Sequence, residues 1–365
     1  MKFTGTKENL KKALLLASRA IGSNTTLPVL NNLLLQTEKG QLKISSTNLE
    51  LAIKTWIGGQ IDEQGEITIP AKTITEHITN ITDEKITLQT QKNNLVIDSK
   101  NTHSIVKGLP AEEFPLIPDI KEGIEVSIEG KTLAEGLSQV SFASAFSETQ
   151  PELSGVLFNL EGRVLKIAAT DRYRLAEKTL QTKDGGGEKK VIVPNRVVTE
   201  LARIMGDIKK DVKIILSENQ VLFKTDDVEI ISRLIEGKYP DYQEIVPKDF
   251  STQIKIKTSE LTSAFKLSGI FAQENNNVEV EVDTKKTALI LNSTSQRAGS
   301  NTTEVSGEIM GGNNKIVFNY RYVLDCLNHT NEKKIILKLI DPSSPAMITV
   351  EGDDNYFYLV MPIKV

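Results

Sequence analysis

Apolar and polar side chains alternate in short stretches along most of the chain, as in strands that bury one face. Polar turn residues such as Glu38-Lys39-Gly40 and Glu161-Gly162-Arg163 separate these stretches. At six places the period lengthens to that of an amphipathic helix. The helical segments are ENLKKALLLASRA, AKTITEHI, KTLAEGLSQVSFASA, NRVVTELA, SELTSAFKLSGIFA and YRYVLDCL. The pattern therefore predicts hairpin strands interrupted by six helices.

The order of these elements repeats about every 124 residues. The segments LKISSTNLELAIKT and LKIAATDRYRLAEKT begin at Leu42 and Leu165, and a weaker third copy begins at Leu289. A strand that runs directly into a helix also recurs three times. The residues at these junctions are Pro70, Pro194 and Asn319. The period is too long for a solenoid repeat, so each copy should be a whole domain.

The repeat sets the predicted domain organisation. We expect a first domain over residues 1–120, a central domain over 121–247 and a last domain over 248–365. The proline-rich stretches 110–118 and 240–247 would be the linkers. Each domain should be α+β, an antiparallel sheet with two helices on one face.

Composition agrees with several globular domains. The 365 residues exceed what one hydrophobic core normally supports, and 39% are hydrophobic and 25% charged. No apolar run approaches the length that crosses a bilayer, and the first residues resemble a strand and a helix rather than a signal peptide. The single cysteine, Cys326, excludes an intramolecular disulfide framework. We therefore expect a cytoplasmic protein with no membrane partner.

Candidate residues for catalysis or metal binding are few. His77, His103 and His329 lie in different copies, and we interpret each as structural. Cys326 lies in an apolar helix, where a small core residue is expected. The chain has neither a metal-ligand spacing of Cys and His nor a phosphate-binding GxxxxGK[ST] motif. The sequence therefore predicts no metal and no cofactor.

One acidic residue keeps an enzyme hypothesis open. Asp171, in ATDRYRLA, could act as a general acid or base, with Asp241 as a carboxylate partner. Its counterparts in the other copies are Asn48 and Ser295, and no clear second catalytic group is present. A hydrolase is therefore the minor hypothesis, and we interpret Asp171 as the least functional residue of its run.

A series of short motifs extends from one end of the chain to the other. They are MKFT at the start, TLPVLNNLLLQ (26–36), TNLE (47–50), EFP (113–115), LSGVLF (153–158), ATDRYRLA (169–176), VIVPNRVVTEL (191–201), GKYPDY (237–242) and LVMPIKV (359–365). In order and spacing the chain resembles the bacterial DNA polymerase III beta subunit family, the sliding clamps. The resemblance implies the DNA clamp fold, with two chains closed head-to-tail into a ring of six similar domains.

The resemblance also implies the function. A clamp encircles double-stranded DNA non-specifically and tethers the replicative polymerase, without catalysis. A net charge of −4 suits this function, because a closed ring needs no tight phosphate contacts. The implied DNA-binding positions are Asn24, Lys72, Ser147, Pro151, Glu152, Arg196 and Lys238. Asn24, Pro151 and Glu152 depart from the family's usual residues, whereas the other charged positions are basic.

A second implied site is a pocket for short hydrophobic peptides. In the family, the DNA polymerase III alpha subunit, the clamp-loader delta subunit, other polymerases and repair proteins carry such peptides. Position by position, the pocket residues are Leu153, Thr170, Arg172, Tyr173, Arg174, Leu175, Pro240, Ile245, Asn319, Tyr322, Ser343, Pro345, Leu359, Met361, Pro362 and Ile363. Leu, Ile and Met would form an adaptable apolar floor, and Arg would orient the peptide at the rim. Pro362 should interrupt the last strand and free the final residues to flank a groove.

For the homodimer, the resemblance points to Val106 in the last strand of the first copy and to Ile270 and Phe271 after a helix of the last copy. Two hypotheses of other classes stay open beside the clamp. One is an open, monomeric three-domain scaffold that binds carbohydrate or peptide, and the other is the hydrolase that uses Asp171.

Overall fold

The computed structural model describes residues 1–22, 27–120, 122–147, 149–206, 208, 210–330 and 332–364. Six α-helices lie in these ranges: α1 Lys7–Ala17, α2 Ala71–Asn80, α3 Gly130–Ser141, α4 Asn195–Gly206, α5 Thr258–Ile270 and α6 Tyr320–Asn328. Each coincides with one of the predicted amphipathic segments, so the prediction of six helices is confirmed.

The strands follow the predicted rhythm of hairpins between helices. The strands before α4 are β1 Lys2–Thr6, β2 Asn32–Glu38, β3 Gln41–Thr47, β4 Leu51–Gly58, β5 Gln60–Glu63, β6 Glu66–Pro70, β7 Lys85–Gln91, β8 Asn94–Asp98, β9 His103–Lys107, β10 Ile124–Glu129, β11 Gly155–Glu161, β12 Val164–Thr170, β13 Arg174–Gln181 and β14 Glu188–Pro194. The strands after α4 are β15 Asp211–Leu216, β16 Gln220–Lys224, β17 Val228–Arg233, β18 Thr252–Lys257, β19 Asn277–Asp283, β20 Ala288–Ser295, β21 Gly299–Ser306, β22 Glu308–Gly311, β23 Asn314–Asn319, β24 Lys334–Leu339, β25 Ala346–Val350 and β26 Asp353–Val360.

The chain forms two compact units, and neither coincides with one predicted copy. Unit 1 is Met1–Gly130, Lys183–Gly186 and Asp207–Leu234. Unit 2 is Lys131–Thr182, Gly187–Gly206 and Ile235–Val365. The central copy thus contributes strands to both units. The boundaries at 120 and 247 stay a prediction.

Unit 1 holds two antiparallel sheets. One has the strand order β5-β1-β7-β8-β9, and the other has the order β10-β15-β16-β17-β4-β3-β2-β6. In the larger sheet, β17 of the central copy pairs with β4 of the first copy. Phe3, Leu10 and Leu14 bring β1 and α1 into a buried apolar core together with Leu33 and Ile74. The Thr6 hydroxyl accepts a hydrogen bond from Asn9 N and thereby caps α1.

Unit 2 repeats this arrangement. Its larger sheet has the order β14-β11-β12-β13-β26-β25-β24-β18-β22, and its smaller sheet has the order β21-β20-β19-β23. Here β13 of the central copy pairs with β26 of the last copy. Each copy therefore contributes strands to two sheets, whereas the sequence pattern predicted one sheet per domain. The pairs β4–β17 and β13–β26 occupy the same place in the repeat.

Cys326 lies on α6 and is completely buried, with its Sγ 3.6 Å from the Tyr356 hydroxyl. Burial raises the pKa of the Cys326 thiol to about 12. This environment agrees with the predicted core role. Within the described ranges, no helix is long and apolar enough to span a membrane.

Candidate functional site

The run ATDRYRLA forms the end of β12, a tight turn and the start of β13. Asp171 Oδ1 accepts hydrogen bonds from Tyr173 N at 2.9 Å and Arg174 N at 3.0 Å. The Thr170 hydroxyl accepts from Arg172 N at 3.1 Å and donates to Arg174 O at 2.6 Å. Arg172 has a φ of 77°, in the left-handed region that non-glycine residues rarely occupy. Side-chain bonds thus hold the backbone of the turn from both sides.

Arg174 connects this turn to helix α6. Its Nε donates to Asp171 Oδ2 at 2.8 Å, and its Nη1 donates to Asp325 Oδ2 at 2.5 Å. Its guanidinium also lies 4.5 Å from the centre of the Tyr322 ring, a cation–π contact. The side chain is largely buried, so it is a fixed part of the wall. Sequence reasoning missed Asp325, although its position one helical turn after Tyr322 places both on the same face of α6.

The C-terminal segment closes the other side of the turn. β26 ends at Val360, immediately before Met361 and Pro362, as the proline predicted. Met361 N donates to Tyr173 O at 2.8 Å, and Ile363 N donates to Val317 O at 2.8 Å. The final residues were expected to leave the last strand and flank a groove. Ile363 does line a cavity, but its backbone is not free, because it is bound at the edge of β23. Val365 lies outside the described residues.

Three adjacent strands supply an apolar floor beneath the turn. Leu175 on β13 is in register with Leu359 on β26, and Leu359 is in register with Met347 on β25. We call Leu175, Leu359 and Met347 the floor row. All three are buried, and Tyr242 of the linker packs against them. Met347 and Tyr242 were not among the predicted residues, because their assignment depends on long-range strand pairing.

The rim presents exposed apolar side chains. Tyr173 is 62% exposed and Met361 is 37% exposed, and Ile245 is also exposed. Leu153 and Thr170 are buried, so they support the wall rather than offer contact area. The structure thus brings the turn, the C-terminal segment and α6 together through bonded contacts, with large apolar side chains open to solvent. Such exposed apolar groups are typical of a binding surface.

The other predicted pocket residues have individual environments. The Asn319 side chain accepts a hydrogen bond from Arg321 N and caps α6. Ser343 donates through its N–H and its hydroxyl to Asp341 Oδ1. Ser343 and Ile363 line a cavity of about 690 Å³ over the smaller sheet of unit 2. Pro240 is exposed, and Pro345 and Pro362 are half-buried.

The predicted DNA-binding residues are mostly at the surface. Lys72 on α2, Arg196 on α4, Lys238 and Pro151 are exposed, and Glu152 is half-buried. Ser147 N donates to the Ser154 hydroxyl at 3.1 Å, which ties this loop to the 3₁₀ helix Pro151–Ser154. Asn24 lies outside the described residues. The role of these residues in DNA binding stays a prediction.

The predicted dimer residues lie on two different elements. Val106 is on β9, which is the last strand at one edge of its sheet. Ile270 is the last residue of α5 and is exposed, whereas Phe271 is half-buried. Their role in a dimer stays a prediction.

The hydrolase hypothesis loses its candidate base. Both carboxylate oxygens of Asp171 are engaged, one by two backbone N–H groups and the other by Arg174. The Asp241 carboxylate accepts from Gln243 N in its own loop. Within the part of the chain described, no cluster of three or more His, Cys, Asp or Glu side chains could hold a metal ion. Asp171 therefore organises the turn, a role that comparison of the copies did not predict.

Glu177 and Tyr242 tie the linker to β13 and give a testable pH dependence. The Tyr242 hydroxyl donates to Glu177 Oε2 at 2.5 Å. Burial raises the pKa of Glu177 above its ordinary value, against the opposing effect of this hydrogen bond. The raised pKa favours the protonated form of Glu177 in the folded state. Protonation of Glu177 therefore stabilises the folded state below the unfolded-state pKa, and this stabilisation is lost as the pH rises through the folded-state pKa.

We therefore expect Glu177→Gln to increase the free energy of unfolding at about pH 8 more than at about pH 4. Chemical denaturation at both pH values measures the difference. Glu161→Gln is the matched control, because the hydrogen bond from Asn159 and the charge of Lys166 lower the pKa of Glu161. The control should show the opposite dependence, and equal effects of Glu177→Gln at both pH values would contradict the assignment.

Comparisons with known proteins agree with the geometry along the whole chain. Family models of the DNA polymerase III beta subunit match residues 1–118 as its N-terminal domain, 127–241 as its central domain and 243–364 as its C-terminal domain. The beta sliding clamp of Staphylococcus epidermidis is 29% identical over 356 residues, 95% of this chain and 94% of that protein. The beta sliding clamp of Staphylococcus aureus matches to the same extent.

Solved structures match the fold equally well. The sliding clamp of Pseudomonas aeruginosa bound to griselimycin superposes with a TM-score of 0.95 at 28% identity, covering 100% of both chains. The sliding clamp of Bacillus subtilis has a TM-score of 0.94 at 27% identity, covering 100% of this chain and 99% of that one. With three family models in order and the three-copy clamp fold, the chain belongs to the DNA polymerase III beta subunit family, the sliding clamps.

Proposed function

We propose that two copies of this chain close head-to-tail around duplex DNA and hold the replicative polymerase on its template. The ring is non-catalytic and needs no cofactor, and it acts in the cytoplasm. The observation that carries the proposal is a pair of edge strands, β9 and β21. Their equivalents in the other copies pair with each other, whereas β9 and β21 each end a sheet within the described residues.

The repeat defines what those edges should bind. In copy order, β4, β13 and β21 are equivalent strands, and so are β9, β17 and β26. β4 pairs with β17, and β13 pairs with β26. The remaining strands of the two sets, β21 and β9, each end a sheet within the described part of the chain. Pairing β21 of one chain with β9 of another would repeat the same junction, and two such pairings would close a ring of two chains.

The edge strand β9 also has a side chain suited to an interface. Ile105 is exposed beside Val106, which packs partly against the core of unit 1. Exposed apolar edge strands are prone to pair with another chain. A β9–β21 contact would cover Ile105, which supports the dimer assignment of Val106 more directly than that of Ile270 and Phe271.

A closed ring accounts for DNA binding by an acidic chain. The net charge is −4, so tight binding to phosphate would need a strongly basic surface that the totals do not provide. A ring holds DNA by topology and slides if its contacts are weak. Lys72, Arg196 and Lys238 are exposed cations that suit such weak, salt-dependent contacts. Ser147, Pro151, Glu152 and Asn24 complete the proposed DNA-facing set.

The pocket of unit 2 would dock the partners. The floor row lies beneath a braced turn, and Tyr173, Ile245 and Met361 offer apolar area at the rim. A short hydrophobic peptide fits this chemistry, since an apolar floor gives affinity and the oriented turn gives specificity. We assign the pocket to peptides of the DNA polymerase III alpha subunit, the clamp-loader delta subunit, and other polymerases and repair proteins.

Salt challenge on circular DNA tests the ring. Protein loaded on a nicked circle should remain bound at a salt concentration that dissociates phosphate contacts, and should leave once the circle is cut. Retention before and after cutting is measured by gel filtration of labelled protein with the DNA. Equal loss from circle and linear DNA would contradict the ring and favour an open scaffold. As a cheaper check, sedimentation at micromolar concentration should give a dimer.

A further inference from the structure

Unit 1 contains a second set of strand positions equivalent to the floor row. On β4, β17 and β16 the corresponding residues are Ala52, Ile231 and Leu222, paired in the same register. All three are buried and form one apolar cluster with Ile117. The repeat therefore builds the base of the proposed peptide pocket twice, once in each compact unit.

The turn above these residues is also built twice. Asn48 Oδ1 accepts hydrogen bonds from Glu50 N at 3.0 Å and Leu51 N at 2.8 Å. Leu49 has a φ of 75°, and its N–H donates to the Thr47 hydroxyl at 3.0 Å. These are the same bonds that hold the turn of unit 2.

The strand end and the linker repeat as well. Arg233 N donates to Glu50 O at 2.9 Å, the counterpart of the bond between Met361 and Tyr173. Lys54 Nζ lies 2.8 Å from Asp119 Oδ1, so the first linker is tied to β4 at the position that Glu177 occupies on β13. The correspondence thus covers the turn, the floor, the strand end and the linker.

A smaller side chain at one floor position, Ala52, leaves space in the unit 1 copy of the site. Ala52 stands where the floor row has leucine, and it lines a small cavity of about 90 Å³ together with Ile231 and Leu49. Leu49 is 49% exposed and Leu116 is 99% exposed at its mouth. We call this cavity and its rim the unit 1 slot. Its size suits one aliphatic or aromatic side chain rather than a whole peptide motif.

The rim charges indicate what should stand beside that side chain. Arg233 is exposed, and its guanidinium has no ion pair within the described residues. Glu50, on the opposite strand end, is also exposed. A partner carboxylate next to the apolar residue, on the Arg233 side, would form an ion pair with the guanidinium. A carboxylate on the Glu50 side would be repelled by the Glu50 carboxylate.

The geometry points to the unit 1 slot as a second docking site, which takes an extended protein segment with a leucine-like side chain followed by an acidic residue. This inference goes beyond the proposed function, because it concerns residues of unit 1 only. The partner gains a second, weaker contact in addition to the main pocket, and two linked weak contacts can raise overall affinity strongly.

Disulfide trapping tests the slot, since the only native thiol, Cys326, is buried and its pKa is raised. In Gln220→Cys, the new thiol lies on the lining of the slot. The probes are three peptides, Cys-Gly-Leu-Asp, Cys-Gly-Ala-Asp and Cys-Gly-Leu-Asn, each supplied as the mixed disulfide of its cysteine with 2-mercaptoethanol. The protein thiol displaces 2-mercaptoethanol from this disulfide, and the exchange is equilibrated at increasing concentrations of free 2-mercaptoethanol. Mass spectrometry gives the reductant concentration that releases half of each peptide.

We expect the Leu-Asp peptide to withstand at least about tenfold more reductant than the Leu-to-Ala peptide, as burial of an aliphatic side chain implies. Adding Ala52→Leu fills the slot with the residue found in unit 2 and should remove this preference. Adding Arg233→Gln should make the Asp and Asn peptides equal while keeping the preference for leucine. Thermal melts confirm that each variant is folded.

Gln91→Cys, at the exposed last residue of β7, is the control for trapping at an ordinary exposed position and should show no preference. Equal release of the Leu and Ala peptides from Gln220→Cys would overturn the proposal. So would an unchanged preference for leucine in the Ala52→Leu variant together with an unchanged preference for aspartate in the Arg233→Gln variant. Neither result bears on the unit 2 pocket, whose own test is the C-terminal truncation.

Discussion

Removal of the last five residues, from Met361 onward, should abolish binding of polymerase-derived peptides and leave the dimer intact. Met361 supplies part of the exposed apolar rim, and its N–H donates a hydrogen bond to Tyr173 O at 2.8 Å. Ile363 N donates a hydrogen bond to Val317 O at the edge of β23. The truncation therefore removes contact area and loosens the turn together. We expect the dissociation constant to rise by at least about 100-fold, the effect of losing a binding hot spot.

Fluorescence anisotropy with a labelled peptide from the DNA polymerase III alpha subunit measures this change. The matched control removes only Lys364 and Val365, which keeps both backbone bonds and should keep nearly full affinity. Sedimentation should give the same dimer for both truncations, because β9 and β21 are unchanged. Unaltered peptide affinity after the longer truncation would refute the pocket assignment.

Local patterns predicted the helices well, because their apolar spacing and junction residues act over a few positions. Asn319 was expected at a helix start, and its side chain caps α6. The end of α3 was less predictable. The amphipathic segment extends to Ala145, but α3 ends at Ser141, and the Phe142 ring stacks on His329 with centroids 4.7 Å apart. A local sequence pattern cannot predict a contact with a residue so distant in the chain.

Strand pairing was the main feature that alternation could not predict. Alternation tells which face of a strand is buried, but it does not identify the neighbour of that strand. The pairs β4–β17 and β13–β26 cross from one copy to another, and the second of them brings Leu175 and Leu359 of the floor row together. Once the pairing is known, the repeat adds information that the sequence pattern lacks. It identifies β9 and β21 as the members of the two equivalent strand sets that lack a cross-copy partner within the described residues.

In the candidate site, too, the apolar positions were predicted and the contacts between distant parts of the chain were not. The apolar positions Leu175 and Leu359 followed from resemblance, and the structure buries both in one cluster. The contacts of Arg174 with Asp325 and Tyr322 could not be foreseen, because they join residues far apart in the chain. Asp171 was undervalued, since differing residue types in the copies suggested a dispensable position. Asn48 in the first copy accepts the same two backbone bonds, so the copies differ in charge but share the function.

Asp171→Ala should destabilise unit 2 and weaken peptide binding, whereas Asp171→Asn should retain most of both. Alanine leaves Tyr173 N and Arg174 N without their acceptor and removes the partner of Arg174 Nε. Hydrogen bonds to charged groups contribute about 1.5–3 kcal/mol each, and partial exposure of the turn reduces this, so we expect a loss of roughly 2–4 kcal/mol. Asparagine keeps the Oδ1 acceptor, as Asn48 does in unit 1.

Urea denaturation gives the stability change, and anisotropy with the alpha-subunit peptide gives the affinity. Asn48→Ala is the matched control, because it removes the same two bonds in unit 1 and should destabilise the chain without changing peptide affinity for unit 2. If Asp171→Ala bound peptide as tightly as the unaltered protein, the turn would not be the element that positions Tyr173 and Arg174. If Asp171→Asn lost retention on circular DNA while staying folded, the carboxylate charge itself would be required, and Asp171 would have a role beyond holding the turn.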